Sequence, residues 1–268
     1  MQVQWYRVNK RQPCQVCGKP DWCTYSVLGA CCMRIQSDRP LRNGGWLHRL
    51  SKNWTPRNSE VTLVKPDKDK PLTVDKLRAL INRWENDTTD EIYGRVASFL
   101  NVKVSALKKL HCCWAPEYGA LAFPMRDGNG QLCGIRLRSM TGRKWTVKGS
   151  HEGIFLPDTN PDRTVYIVEG PTDTAAALSI KLYAIGRPSC LSGTEILLST
   201  IKRLNISRVV IVADNDKPGI SGALKLSPQL HVPHVIIVLP DKDMRDYVAH
   251  GGTAHGIQQI VSTQQWIV

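Results

Sequence analysis

The stretch Val209-Val-Ile-Val-Ala-Asp-Asn-Asp-Lys-Pro-Gly219 decides the fold. Its β-branched run has no polar alternation, so the strand it predicts is covered on both faces, as in a parallel sheet between helices. Two acids, Asp214 and Asp216, follow the strand at once. The pattern occurs twice more. Val165-Tyr-Ile-Val168 leads to Glu169-Gly170-Pro171-Thr172-Asp173, and Val235-Ile-Ile-Val238 leads to Leu239-Pro-Asp241-Lys242-Asp243-Met-Arg245-Asp246. Helices are expected over Thr174 to Leu182, over Ile196 to Leu204 behind a capping box Ser192-Gly-Thr-Glu195, and over Gly219 to Leu226. Residues 161–268 therefore read as a compact α/β domain.

Such a sheet puts its active groups just past the carboxyl ends of its strands. Seven of the nine acids in 161–268 fall in these three turns. Parallel neighbours lie ~4.8 Å apart, so the clusters meet at one edge. Capping three helices would need one acid per turn, and the repeated pairs exceed that. Packed carboxylates repel unless cations neutralise them, which predicts a Mg²⁺ site. Asp214 and Asp216, two apart on an extended turn, can both face one ion.

Upstream, residues 114–160 read as a β-rich, basic subdomain. Asp127-Gly-Asn-Gly130 is a hairpin turn by composition. Leu132 to Arg138 alternates, which puts Arg136 and Arg138 on one face, and Arg143, Lys144 and Lys148 follow around Trp145. These cations form a triphosphate or backbone cradle if they converge and a solvated face otherwise. Residues 73–113 read as a small helical spacer without chemistry. Thr73 caps a helix with Val74, Leu77, Ile81 and Trp84 on one face, a second carries Ile92, Val96 and Phe99, and a third begins after Ser105. Residues 56–72, with Pro56, Pro66 and Pro71 and a charged run from Lys65 to Lys70, read as a linker. Residues 251–268, with Trp266, are either a docking tail or a last strand.

Nine cysteines are present, five of them in the first 32 residues. An odd count without an export signal argues against a disulfide framework. Cys112-Cys113 reads as buried apolar packing. Cys14-Gln-Val-Cys17-Gly18-Lys19 has the shape of a zinc knuckle, in which Gly18 lets backbone amides turn towards the sulfurs. Cys23 and Cys32 are the expected second pair; Cys31 rivals Cys32, and His48 is a weaker rival. A redox pair would be expected beside a βαβ pattern, and none surrounds it. About 50 residues bury little core, so the zinc is read as structural. Around this site, in the module 1–55 and just beyond it, Arg34, Arg39, Arg42, His48, Arg49, Lys52 and Arg57 interleave with Trp22, Trp46 and Trp54. Cations beside aromatic faces suit single-stranded nucleic acid, with Trp46 and Arg49 as candidate contacts.

Charge agrees. The 268 residues carry 36 Lys and Arg against 23 Asp and Glu, a net +13. Residues 1–60 hold 10 basic and 3 acidic side chains, 61–160 hold 16 and 11, and 161–268 hold 10 and 9. A basic half on a near-neutral half points to a polyanion. A hydrophobic share of 42% excludes global disorder. No run approaches the ~18 apolar residues of a membrane span, and the first residues carry no signal-peptide core. A cytoplasmic protein without a membrane partner is expected, and no fixed-period repeat is visible.

Glu169-Gly170, a hydrophobic strand, then Asp214-x-Asp216-x-x-Gly219 resembles the Toprim pattern of topoisomerases and primases. By that resemblance Glu169 is the general acid/base and metal-linked glutamate, and Asp214 and Asp216 are metal aspartates. Asp173 matches a helix aspartate that primases often add. Lys242-Asp243 is similar to a later Lys-Asp of bacterial replicative primases that assists metal binding. Phe123 to Arg136 resembles the basic subdomain preceding Toprim in those primases, and Arg143 to Gly149 its phosphate-meeting strand. The order zinc module, basic subdomain, Toprim resembles bacterial primases and the primase half of bacteriophage primase-helicases, over about 200 of the 268 residues. The zinc spacing departs from two Cys-x-x-Cys pairs, and the basic subdomain is short. No Gly-x-x-x-x-Gly-Lys-Ser/Thr loop is present, so the helicase is expected as a separate partner. The resemblance implies a phage, plasmid or bacterial primase. It would make short RNA primers from nucleoside triphosphates on single-stranded DNA, with structural zinc and catalytic Mg²⁺ or Mn²⁺. Alternatives are a Toprim-type nuclease and a non-catalytic RecR-like DNA-binding mediator.

Overall fold

The structure, a computed structural model, describes residues 5–41, 45–51 and 71–268. Most of the expected linker lies outside the described residues, as do Arg42, Lys52 and Trp54 of the cysteine module and Arg57. The chain divides into two compact units, Met1–Lys70 and Pro71–Val268.

In the first unit four short strands, β1 (Tyr6–Arg7), β2 (Thr24–Tyr25), β3 (Gly29–Cys32) and β4 (Trp46–Arg49), pair antiparallel in chain order. Its apolar clusters are small. Trp5, Cys31 and Leu47 form one, and Val8 with Cys14, Cys23 and Cys32 the other. So little buried surface needs a covalent or metal cross-link to hold it.

The second unit opens with α1 (Val74–Asp87), α2 (Asp90–Leu100) and α3 (Val104–Lys109). Thr73 caps α1 as expected, accepting from the Lys76 amide, and Leu77, Ile81 and Trp84 are buried. The second helix turns differently from the expectation. Tyr93, Val96, Ala97 and Leu100 are buried, whereas Phe99 is half exposed. Cys112 and Cys113 are buried among apolar neighbours.

An antiparallel sheet follows: β5 (Cys113–Ala115), β6 (Ala120–Arg126), β7 (Leu132–Ser139) and β8 (Lys144–Thr146), in chain order. The Asp127–Gly130 turn joins β6 to β7, with the Gly130 amide donating to the Asp127 carbonyl. One face of the sheet, with Ala120, Ala122, Ile135 and Leu137, packs on α1. The other, with Leu121, Phe123 and Met125, packs on α4 (Gly170–Ser179).

The last layer is a parallel sheet of β9 (Thr164–Glu169), β10 (Ala184–Arg187), β11 (Arg208–Ala213) and β12 (His234–Val238), ordered β10-β9-β11-β12. On one face Val165, Ile167, Val209 and Ile211 meet α5 (Thr194–Arg203) and α6 (Lys217–Leu226). On the other Tyr166, Val168, Val210 and Val212 meet α4, α7 (Met244–Ala249) and α8 (Ala254–Ser262). Every residue of α4 is buried. Ala175 and Leu178 face the antiparallel sheet while Ala176 and Ala177 face the parallel one, so small side chains are what the space between two sheets accepts.

Three expectations are corrected here. Strand β10 carries no apolar run, only Ala-Ile-Gly-Arg, and was not foreseen. The expected capping box is absent: the residue before α5 is Gly193 at φ +73° with no side-chain cap, and the Ser192 hydroxyl pairs with Ser189 instead. The helix expected from Thr174 begins at Gly170, directly off the strand. At the end of the chain α8 is followed by Ile267, which bridges to His234 at the edge of β12. Among the described residues no helix is long and apolar enough to cross a membrane.

Candidate active site and metal centre

The carboxyl ends of β9 and β11 are adjacent. Ile167 stands opposite Ile211, Glu169 opposite Arg187, and Ala213 opposite Val238. Glu169 is thus the last residue of its strand, and Asp214 the first after the neighbouring one. Two glycines make the turns possible. Gly170 has φ +80°, which only glycine adopts without strain, and lets α4 start directly behind Glu169. At Gly219 a Cβ would lie 2.6 Å from the Asp214 carbonyl oxygen, so any side chain there would push α6 off the Asp214 turn. Glu169 and Asp214 line one small cavity of about 20 Å³ together with Arg187 and Cys190.

Electrostatics tie the other acids to this edge. Burial pushes Asp214 up to about 7, and the charges of Glu169, Asp243 and Asp216 push the same way, with Lys144 opposing. Burial also drives Asp173 up to about 8, aided by Asp243 and Asp214 and opposed by the Arg245 amide, which donates to it at 3.0 Å. Asp173 lies fully inside α4, so it ties α4 to α7.

Capping explains more of these acids than the paired pattern implied. Asp216 accepts from the Gly219 amide at 2.7 Å and caps α6; Asp243 accepts from the Asp246 amide at 2.8 Å and caps α7. Each cap uses Oδ1 and leaves a second oxygen, with lone pairs to spare. Glu169 sits at the corresponding position of α4 but makes no side-chain cap. A carboxyl raised by burial and by three like neighbours is the electrostatic environment that a hard divalent cation relieves, and the all-oxygen donor set suits Mg²⁺ or Mn²⁺. The residues therefore fit such an ion.

On the antiparallel sheet the register decides which cations face the acids. Arg138 is opposite both Leu121 and Lys144, and Arg136 opposite Phe123 and Thr146. Facing partners share a sheet face. Arg136, Arg138 and Lys144 therefore lie on the face that packs towards α4. Arg138 feels the charges of Asp173, Asp243 and Arg245, and Lys144 that of Asp214. Burial pulls both guanidinium pKa values down. The Nε–H groups of Arg136 and Arg138 are buried without a hydrogen-bond partner. Arg143 goes elsewhere: it lies 5.2 Å from the Trp145 ring centroid, and Trp145 packs on the opposite, α1-facing side. Lys148 is exposed beyond the end of β8. Two cations at the site escaped sequence reading. Arg187 is buried and held by the Ser192 carbonyl and the Thr194 hydroxyl, with Glu169 among the charges it feels. Arg245 contributes its amide and charge. Arg187 was hidden because its strand was.

In the first unit the sulfurs of Cys14, Cys17, Cys23 and Cys32 all lie within 4.8 Å of one another. The Cys17–Cys23 and Cys23–Cys32 separations are 3.8 and 3.9 Å. A tetrahedral ion with Zn–S of about 2.3 Å sets such edges at about 3.8 Å, so the set fits zinc. The open choice of fourth ligand resolves through strand alternation. Cys31 and Cys32 are adjacent on β3 and must point to opposite faces. Cys32 joins the cluster and Cys31 packs with Trp5 and Leu47, while His48 Nε2 lies 2.9 Å from the Ile35 carbonyl. Amides of Met33, Arg34 and Ile35 point at Cys23 and Cys32 sulfurs, as a knuckle does. Burial would raise the Cys17 thiol, yet the Lys19 amide and the other thiols bring it down to about 6. Burial pushes Cys23 up to about 12. Trp46 is half-buried and Arg49 exposed on β4. Among the described residues only the cysteines gather ligand atoms this closely; the carboxylates do not.

Comparison with solved structures places the fold. A DnaG catalytic core matches with a TM-score of 0.58 and 15% identity over 72% of this chain and 81% of that one. A DnaG primase catalytic domain bound to single-stranded DNA matches at 0.56 and 14%, over 70% and 80%. The zinc-binding and RNA polymerase domains of Aquifex aeolicus primase match at 0.57 and 13%, over 73% and 63%. No family model and no curated protein matches the sequence. The chain thus has the fold of a primase catalytic core, with a four-cysteine module ahead of it.

Proposed function

We propose that the protein is a primase that builds short RNA primers on single-stranded DNA from nucleoside triphosphates. One observation carries the reading: Arg136 and Arg138, with buried, unpaired donors, stand on the sheet face turned towards α4, where Arg138 feels the charges of Asp173 and Asp243. A buried N–H without a partner costs about 1–3 kcal/mol, so Arg136 and Arg138 are arranged for an anion that arrives with the substrate. A triphosphate is that anion. Its oxygens take the two guanidinium groups and Lys144 while its α-phosphorus lies towards the acids. Glu169, Asp214, Asp216 and Asp243 would hold divalent cations. Bound there, such ions supply the charge that lowers the pKa of the attacking 3′-hydroxyl and neutralises the leaving pyrophosphate. Asp216 and Asp243 hold their free oxygens in place through their capping bonds. Arg187 gives Glu169 a fixed counter-charge from behind. The first unit, with Trp46 and Arg49, would hold the template strand. Support comes from the primase-core fold and from a solved relative of that fold bound to single-stranded DNA.

The test is primer synthesis on random-sequence single-stranded templates with labelled nucleotides and Mg²⁺ or Mn²⁺. New RNA from the wild type, and none from Glu169→Gln or Asp214→Asn with zinc retained, is the expected result. Shortening of an end-labelled strand instead would assign a nuclease. Strand binding with no chemistry would assign a mediator.

A further inference from the structure

Trp22 is the most anomalous residue of the first unit. Its side chain is 80% exposed, and its φ is +64°. The Cys23 amide donates to the Asp21 carbonyl at 2.8 Å, two residues back. That bond with positive φ is the rare, strained form of the γ-turn, and a bulky aromatic is among the least suited residues for its centre. An apolar ring held in water by a strained turn is disfavoured twice over, so folding alone does not account for it.

The ring is also fixed. The Arg34 guanidinium lies 5.0 Å from its centroid. Arg34 in turn is pinned by the Asp21 carboxylate, by the Asp21 carbonyl at 3.0 Å, and by approach to the Cys17 and Cys23 sulfurs at 3.9 and 3.8 Å. Its charge is thus spent within the protein and not offered to a phosphate. What the assembly offers outward is a rigid π-face, in a segment where residues 1–60 carry 10 basic against 3 acidic side chains. Trp46 differs, since it is half-buried in β4 opposite Cys32.

We infer that Trp22 is a stacking platform for an unpaired nucleobase of single-stranded DNA. A preorganised aromatic face binds a base without an ordering cost, and every base has a π-face to offer. The inference rests on reading the first unit as a strand-binding module, but it is tested by binding alone. A wild-type protein that makes no primer would contradict the proposed function and leave this assignment intact.

The experiment uses the full chain, zinc content checked, and fluorescence anisotropy with three probes: a short single strand, the same strand with abasic sites throughout, and a duplex. Trp22→Ala should weaken binding of the intact single strand roughly tenfold or more, with Trp22→Phe retaining most of the affinity. The abasic strand and duplex should change by less than about twofold, since they are held through phosphates. Trp22→Asn separates folding from binding. Asn tolerates the left-handed conformation, so this variant should be more stable than the wild type and still bind the single strand as weakly as Trp22→Ala. Unchanged single-strand affinity in Trp22→Asn, or an equal loss on the abasic strand, overturns the inference.

Discussion

Two groups of metal-type ligands in this chain are built on opposite plans. The cysteine group is closed, with sulfurs at tetrahedral spacing and backbone amides turned towards them. The carboxylate group is open: its members come from three strand ends, and two of them are tied to helix amides. Thiols can close without an ion because they can remain protonated, as the raised Cys23 does. Carboxylates at neutral pH repel, and here burial first, and the charges of neighbouring acids second, raise Asp214 and Asp173. A closed set suits a permanent structural ion, and an open one suits ions that come and go with substrate.

The largest effect should come from breaking the closed group. Cys23→Ser, or a strong chelator, should remove zinc and abolish ordered structure in the first unit while the second stays folded, read by metal analysis and limited proteolysis. Cys31→Ser should keep its full zinc content.

Next is the open group. Asp216→Asn keeps the helix cap and loses the charge, because Asn caps as well as Asp. Stability should change little while primer synthesis falls by two orders of magnitude or about that. Asp216→Ala should add a stability loss of about 1 kcal/mol. Equal activity in wild type and Asp216→Asn would reduce this acid to a cap.

The third effect is a pH slope. A carboxyl raised in the folded state binds its proton more tightly there than when unfolded. The stability it contributes is present below its ordinary value, near 3.8, and is lost as pH rises through about 8 for Asp173. Metal-free protein should therefore lose stability over that window, by roughly a few kcal/mol. Asp173→Asn should flatten the slope in denaturation series, and Mg²⁺ should flatten it in the wild type.

The smallest effect separates the cations. Arg138→Ala should reduce nucleotide use about tenfold or more, and Arg143→Ala by less than about threefold, because Arg138 lies on the face turned towards α4 and Arg143 is drawn to Trp145 on the other. Equal losses would mean that Arg143 leaves Trp145 when substrate binds.

Much of this was legible in the sequence because it rests on short-range pattern. Val165–Val168, Val209–Val212 and Val235–Val238 announce buried parallel strands, and each is followed by its acids. Cys14, Cys17, Cys23 and Cys32 come together in space as their spacing suggested. What escaped depends on tertiary context. Strand β10 is four residues with a glycine, and it is a strand because Glu169's strand offers it an edge; Arg187 was lost with it. The divergence of Arg143 from Arg136 and Arg138 follows from cross-strand register, which the hairpin lengths alone do not reveal. The capping roles of Asp216 and Asp243 are masked in the sequence, because paired acids point to a metal before they point to a cap. The structure lets one carboxylate serve both ends.

The contrast between the two groups is tested most directly by titrating zinc-loaded protein with Mn²⁺ and following free Mn²⁺ by electron paramagnetic resonance. Saturable Mn²⁺ binding in the wild type, lost in Asp214→Asn with all zinc retained, is the expected result. Asp214→Asn protein that binds Mn²⁺ as the wild type does would contradict it.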